Sequence, residues 1–174
     1  VFDPARPEAV VEGITSQYGD ALPLFCDPVS SAYARRLKPY VGKVHTLKPN
    51  RMELTVLTGH DTDTPKGVKA ACEILLCRGV KRIFVSMGHE GCLYMDSEGN
   101  VVQRALSPIE NIANASGAGD AFTAAVIYSY LKGFGINRTI DYALAAGAVA
   151  VSAATTINPE ISPELIEKII IERG

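Results

Sequence analysis

The chain alternates between stretches with helical spacing of apolar residues and short apolar runs typical of strands. Helical spacing over residues 7–18 predicts the first helix. Three short apolar runs predict buried parallel strands, at 22–26, 44–47 and 82–86. Helices are expected after these strands, over 31–40, 51–57 and 64–78. Three consecutive strand–helix units of this kind favour a parallel sheet covered by helices.

The pattern changes after residue 90. Two runs that alternate as strands, at 91–95 and 101–105, flank a polar, glycine-containing turn typical of an antiparallel hairpin. Helical spacing then predicts three helices, over 118–131, 137–153 and 163–172. The predicted fold class is therefore α/β, with a layered and mostly parallel sheet, an antiparallel hairpin and flanking helices.

Composition narrows the classes of function. The 174 residues are 47% hydrophobic and carry a formal net charge of −2, which argues against disorder and against a basic nucleic-acid-binding surface. The longest apolar stretch, 143–154, is shorter than the about 20 residues of a membrane-spanning helix. The four cysteines lack metal-ligand spacing and are expected to be free, buried thiols, and no leader-like segment follows Val1. We therefore expect a cytoplasmic globular protein without nucleic-acid or membrane partners.

The strongest candidate for chemistry lies where a loop enters the predicted helix at 118–131. Gly117 and Gly119 flank Ala118 and allow backbone N–H groups to converge on an anion at the positive end of the helix dipole. Asp120 would place a carboxylate beside that anion, which suits a base that removes a proton from an attacking hydroxyl. An ordinary helix start, with glycine for a tight turn and aspartate facing the dipole, remains the alternative.

Two further polar groups follow predicted strands. Asn50 and Glu53, three residues apart, fit a helix capping box, which these residues alone favour, or a pair that holds waters around Mg²⁺. Ser86, Gly88 and Gly91 fit a tight turn or a flat shelf over a nucleotide. Polar residues at the carboxyl ends of parallel strands line the ligand crevice of α/β proteins, so both groups are candidate ligand contacts.

Taken in order, these motifs resemble the ribokinase, or PfkB, family of carbohydrate kinases. The matching segments are Lys48-Pro49-Asn50-x-x-Glu53, Ser86-x-Gly88-x-x-Gly91 and Gly117-Ala118-Gly119-Asp120-x-Phe122, the last being the family's C-terminal signature. The resemblance runs along essentially the whole chain and covers only the family's later part, without its N-terminal part and lid strands. It implies a ribokinase-like fold in which residues 1–174 form a single ATP-binding and catalytic part.

Within the family, the chain is most similar to the branch that phosphorylates pseudouridine. The similar segments lie at 27–30, 46–51 and 156–159. Asn114 stands where many ribokinase-like members carry aspartate, whereas the branch that phosphorylates pseudouridine tends to carry asparagine there. This departure from the ribokinase pattern leaves a monovalent-cation site open.

The resemblance implies an ATP- and Mg²⁺-dependent phosphate transfer to the 5′-hydroxyl of a nucleoside or sugar, with pseudouridine as the expected substrate. Asp120 would take the hydroxyl proton, and the backbone of Gly117, Ala118 and Gly119 would form an anion hole. The implied ligand contacts are Asn50, Glu53 and Asp27 for Mg²⁺, largely through water, and Ser86, Gly88, Gly91, Leu144 and Asn158 for ATP.

Alternative functions remain open on the sequence. One is a ribokinase- or fructokinase-type member of the same family acting on a free sugar, and another is a nucleotide-binding module without catalysis. The expected partner is a small-molecule substrate, and relatives suggest a homodimer through the missing lid strands. Without that lid, the chain by itself is expected to have low activity, because water is not excluded from the transfer site.

Overall fold

The computed structural model describes residues 1–107, 116–153, 155 and 157–173. The strands are β1 (Phe25–Cys26), β2 (Thr46–Leu47), β3 (Arg82–Ser86), β4 (Cys92–Asp96) and β5 (Val101–Arg104). The helices are α1 (Glu8–Tyr18), α2 (Ser31–Leu37), α3 (Arg51–Thr58), α4 (Pro65–Cys77), α5 (Ala118–Leu131), α6 (Ile136–Val151) and α7 (Pro163–Arg173). Two positions used in the comparison with the family, Asn114 and Thr156, lie outside the described residues.

The strands form one sheet in the order β1-β2-β3-β4-β5. β1 and β2 run parallel with Cys26 opposite Leu47, and β2 and β3 run parallel with Leu47 opposite Ile83. The neighbours β4 and β5 are joined by residues 97–100 alone, which is too short for a parallel crossover, so they form an antiparallel hairpin. The predicted α/β sheet, mostly parallel with one hairpin, is confirmed.

Several element boundaries differ from the predictions for identifiable reasons. The runs at 22–26 and 44–47 pair as strands over their last two residues only. The helix predicted at 31–40 ends at Leu37 and continues as a 3₁₀ turn over Lys38–Lys43, because Pro39 has no N–H to extend an α-helical ladder. The expectation that all cysteines are buried is wrong for Cys77, which lies exposed at the end of α4.

The chain forms two compact units. Unit 1 comprises Val1–Met87 and Leu93–Val102, and unit 2 comprises Gly88–Cys92 and Gln103–Gly174. The core of unit 1 consists of apolar side chains from the sheet and from α1–α4, including the fully buried Leu47, Leu54, Leu57, Leu75 and Ile83. Complete burial of such a side chain contributes about 1.5–3 kcal/mol, so this core fixes the strand ends that carry the polar residues.

Unit 2 is built on α5, α6 and α7. Tyr128 of α5 stacks on Tyr142 of α6 with ring centroids 5.4 Å apart, and Phe134 meets Tyr142 edge-on at 5.7 Å. The backbone N–H of Phe134 also donates to the carbonyl of Ser129, which closes the turn between the two helices. These contacts hold the end of α5 against the first half of α6.

In the part of the chain that the structure describes, every helix is too short or too polar to cross a lipid bilayer.

Candidate active site

In unit 1, the parallel strands bring their first following polar residues to the same edge of the sheet. The N–H of Lys48 donates to the carbonyl of Cys26 at 3.0 Å, so the residues just after β1 and β2 are neighbours. Asn50 pairs with Ser86 in a parallel bridge, and the N–H of Ser86 donates to the carbonyl of Pro49 at 2.9 Å. The polar residues predicted after separate strands therefore lie together, at the edge where α/β proteins bind ligands.

Asn50 and Glu53 form a complete capping box at the start of α3. The N–H of Glu53 donates to Asn50 Oδ1, and the N–H of Asn50 donates to Glu53 Oε2, each at 2.9 Å. Burial raises the pKa of the Glu53 carboxyl, while the Asn50 N–H lowers it and the charge of Asp27 raises it, and the net pKa lies above its usual value. The capping interpretation is thus confirmed, and it occupies one oxygen of each side chain.

Asp27 is held from two sides. Its Oδ1 accepts the N–H of Val29 at 3.0 Å, and its Oδ2 lies 2.9 Å from Lys48 Nζ. The side chains of Lys48 and Asp27 are only 9% and 15% exposed. The sequence motifs predict no separate role for Lys48. Its position directly after β2 indicates a contact with Asp27, because β1, the strand before Asp27, pairs with β2.

The oxygens of this edge suit a hydrated magnesium ion rather than one enclosed by protein ligands. Carboxylate and amide oxygens are the ligands that Mg²⁺ takes from proteins, usually one or two together with several waters. Among the described residues, no group of three histidine, cysteine, aspartate or glutamate side chains is arranged to hold a metal ion. Asp27, Asn50 and Glu53 therefore fit an ion that they contact through water, and they do not form a cage of direct ligands.

In unit 2, α5 begins at a glycine in the left-handed region. Gly117 has φ 86°, and as the N-cap residue it offers no side chain to the helix. The described part of the chain supplies no hydrogen-bond acceptor to the N–H groups of Ala118, Gly119 and Asp120. Asp120 lies exposed in the first turn. Unpaired N–H groups with the helix dipole behind them are suited to bind an anion, and an exposed carboxylate beside them can accept a proton.

The predicted adenine contacts lie on and after α6. Leu144 is half-buried on α6. One turn later, Gly147 lies near the Ala118 carbonyl of α5, and a Cβ atom at Gly147 would stand 3.6 Å from that oxygen, an ordinary contact distance. Asn158 is buried; its Nδ2 donates to the Val149 carbonyl at 3.0 Å, and its Oδ1 accepts the N–H of Glu160 at 2.9 Å. The Asn158 amide thus anchors the chain that follows α6, and its contact with ATP stays a prediction.

A tight turn accounts for the two glycines of the predicted nucleotide shelf, Gly88 and Gly91. The 3₁₀ turn Gly88–Glu90 is closed by the N–H of Gly91, which donates to the Gly88 carbonyl at 3.0 Å. Both glycines have positive φ, 60° for Gly88 and 83° for Gly91. A side chain at Gly91 would also overlap the backbone of Arg104, so a tight turn requires this glycine whatever it binds.

Comparison with known proteins identifies relatives for this arrangement. The chain matches the model of the pfkB family carbohydrate kinases over residues 2–163. It is 32% identical over 142 residues to the pseudouridine kinase of Escherichia coli K12, covering 81% of this chain and 45% of that protein. It is 29% identical over 167 residues to the 1-phosphofructokinase of Haemophilus influenzae, covering 95% of this chain and 52% of that protein. The chain thus spans about half the length of the curated relatives it matches.

A solved structure agrees with the fold. The crystal structure of a protein from Clostridium perfringens described as a sugar kinase superposes with a TM-score of 0.91 at 25% sequence identity, over 99% of this chain and 54% of that one. The ribokinase-like arrangement expected from the motifs is therefore confirmed. Because the family model also spans nearly the whole chain, the protein belongs to the pfkB family of carbohydrate kinases.

Proposed function

We propose that the gene product carrying this chain transfers the γ-phosphate of ATP to a primary hydroxyl of a nucleoside or sugar. Residues 1–174 supply its ATP-binding and catalytic part. The observation that carries the proposal is the start of α5, where N–H groups that have no acceptor among the described residues lie beside the exposed carboxylate of Asp120. Membership of a carbohydrate kinase family supports the same reaction class.

Asp120 acts as the general base. Its carboxylate accepts the proton of the acceptor hydroxyl as the oxygen attacks the γ-phosphorus, and the bond to the β-phosphate oxygen breaks to release ADP. The N–H groups of Gly117, Ala118 and Gly119 stabilise the negative charge of the phosphoryl group in transfer. Gly117 caps α5 and the other three residues form its first turn, so one helix start presents all of these groups together.

Unit 1 contributes the residues for the metal. Asp27, Asn50 and Glu53 hold Mg²⁺ through water, and the bound ion neutralises charge on the triphosphate. The capping box keeps the Asn50 and Glu53 side chains in one orientation before any ligand arrives. The proposed ATP contacts are those implied by the family motifs, namely Ser86, Gly88, Gly91, Leu144 and Asn158.

Pseudouridine is the first proposed substrate, with pseudouridine 5′-phosphate as the product. The similarity of 27–30 and 46–51 to the pseudouridine branch supports it, as does the 32% identity to the pseudouridine kinase of Escherichia coli. The second candidate is a sugar or sugar phosphate, which the longer match to a 1-phosphofructokinase favours.

A substrate panel tests these proposals. The gene product is incubated with Mg²⁺ and ATP plus pseudouridine, uridine, ribose, fructose or fructose 1-phosphate, and the release of ADP is measured against a reaction without acceptor. We expect ADP release with pseudouridine at a rate at least about tenfold above that with uridine, since a buried polar contact distinguishes such isomers by this factor or more. Release with a sugar alone would overturn the pseudouridine assignment, and release with none would favour a nucleotide-binding module.

A further inference from the structure

Lys48 is an unusually buried cation. Its side chain is 9% exposed, and its ammonium lies 2.9 Å from Asp27 Oδ2. Lysine is almost never this buried without a partner, because removing an ammonium ion from water is costly unless a close opposite charge offsets the loss. By contrast, the Lys43–Asp20 pair in the same unit, at 2.7 Å, has side chains that are 47% and 80% exposed.

Two independent features hold the buried pair in place. The parallel register of β1 and β2 aligns the residues that follow them, with the Lys48 N–H donating to the Cys26 carbonyl at 3.0 Å. The N–H of Val29 donates to Asp27 Oδ1 at 3.0 Å, which turns Oδ2 toward Lys48. Val29 itself has φ 64°, a conformation that a β-branched residue adopts rarely, so the turn around Asp27 is strongly determined by its surroundings.

Lys48 also changes the charge that this edge presents. Glu53, only 3% exposed, lies within electrostatic range of both Asp27 and Lys48, whose charges shift its pKa in opposite directions. Lys48 therefore places one positive charge beside the two acidic side chains of this edge, and a variant without Lys48 would lose that charge. Two carboxylates with an adjacent amide are sufficient protein ligands for a hydrated divalent cation. The ammonium group of Lys48 therefore competes with such a cation for this edge.

We propose that Lys48 is the built-in counter-cation of Asp27, and that it prevents a free divalent cation from binding at this edge before nucleotide does. A divalent ion bound to a triphosphate carries its own anionic ligands and requires fewer from the protein. The metal therefore enters this site as part of the metal–nucleotide complex. This inference rests on the proposed function for the assignment of the edge to Mg²⁺–ATP, and its test measures metal binding without any turnover.

The test compares Mn²⁺ binding to the purified gene product without nucleotide, followed through the electron paramagnetic resonance signal of free Mn²⁺. The wild type is expected to show no site with a Kd below about 1 mM, the range of weak oxygen-ligand sites. Lys48→Met, which keeps most of the apolar stem and removes the charge, is expected to gain a site at least about tenfold tighter. Lys43→Met, the matched control at the exposed pair, is expected to match the wild type.

Two further variants keep the test decisive. Lys48→Arg retains the positive charge and is expected to bind no Mn²⁺, and Asp27→Asn added to Lys48→Met is expected to abolish the new site. If Lys48→Met does not fold, the wild-type titration alone decides, because a tight Mn²⁺ site without nucleotide overturns the proposal. A folded Lys48→Met that gains no site overturns it as well. A gain of the site in a protein that phosphorylates no acceptor leaves this inference standing and overturns the proposed function.

Discussion

The two helices that begin at candidate site residues start in opposite ways. α3 is closed by its own side chains, since Asn50 and Glu53 each accept the other's backbone N–H at 2.9 Å. α5 begins at Gly117, and its first N–H groups find no acceptor in the described part of the chain. Every helix start leaves such donors without an intrahelical partner. α3 satisfies two of them, the N–H groups of Asn50 and Glu53, with its own side chains, whereas the described residues offer no such acceptor at the start of α5.

A third helix shows which feature of α5 is distinctive. α6 also begins at a glycine without a side-chain cap, but Gly135 has φ −66° and the first turn of α6 contains no acidic residue. A missing cap is therefore not by itself a sign of a ligand site. At α5 the left-handed Gly117 and the exposed Asp120 occur together, and this combination favours an anion with a proton acceptor beside it.

The largest expected effect is on turnover at the start of α5. Asp120→Asn is expected to lower kcat by a factor of about 10²–10⁴, because the amide cannot accept the hydroxyl proton. ATP affinity, measured by calorimetry, is expected to stay within about twofold, and the free energy of unfolding within about 0.5 kcal/mol, since the side chain is exposed. Glu164→Gln, another exposed acid in the first turn of a helix of unit 2, is the control and is expected to retain full activity. An Asp120→Asn protein that keeps most of its rate would show that the base is misassigned.

The backbone at the start of α5 is tested by a pair of glycine substitutions. Gly117→Ala is expected to destabilise the protein by about 1–2 kcal/mol through its φ of 86° and to lower kcat by about tenfold or more by moving the N–H groups. Gly59→Ala is the matched control, since Gly59 has φ 79° at the end of α3 with open space around it. It is expected to lose comparable stability in thermal unfolding and no activity. An equal loss of kcat in both variants would show that the role of Gly117 is structural only.

The capped start of α3 is expected to give a smaller and mixed response. Asn50→Ala removes the oxygen that accepts the Glu53 N–H and is expected to cost about 1 kcal/mol of stability. Because the amide also faces the proposed metal site, the affinity for Mg²⁺–ATP is expected to fall. Thr64→Ala at the start of α4, where Thr64 Oγ1 accepts the Gly67 N–H at 3.1 Å, controls for the loss of a cap and should leave nucleotide affinity unchanged. If the two variants bind Mg²⁺–ATP alike, capping is the whole role of Asn50.

The sequence predicts those features of the fold that depend on residues close together along the chain. The capping box at Asn50 and Glu53 and the bounds of β3 and α5 follow from short-range chemistry and agree with the structure. The short pairing of β1 and β2 did not follow, because a strand ends where its neighbour ends, and that information is not local.

The polar edge of unit 1 also depends on contacts between residues far apart in the sequence. Asn50 and Glu53 are predicted from their positions after a strand and Asp27 from the family resemblance, but none of these signals predicts the partner of Asp27. The contact with Lys48 joins residues 21 positions apart, and it depends on which strands are adjacent and on their register. A sequence gives the side chains of such a site, whereas the topology decides which of them neutralise one another.

A carboxylate outside the candidate site gives the smallest predicted effect and sharpens the contrast with Asp120. Asp96 ends β4 and accepts hydrogen bonds from the Tyr94 hydroxyl at 2.8 Å, from the N–H groups of Glu98 and Asn100 at 3.0 and 2.9 Å, and from the Asn100 amide at 2.9 Å. Burial by itself raises the pKa of Asp96, but the hydrogen bonds from Asn100, Tyr94 and Glu98 together lower it below its usual value.

This depressed pKa fixes the pH at which Asp96 stabilises the fold. A carboxyl whose pKa is lower in the folded than in the unfolded state stabilises the protein above its unfolded pKa of about 4, and the contribution is lost as the pH falls through the folded pKa. Asp96→Asn is therefore expected to cost about 1 kcal/mol at pH 7, measured by urea unfolding, and progressively less below about pH 4. Activity per folded molecule should not change. A constant difference in stability down to pH 2 would mean that the ionised carboxylate is not what holds the hairpin, and a loss of turnover would contradict the separation of stabilising carboxylates from the catalytic one.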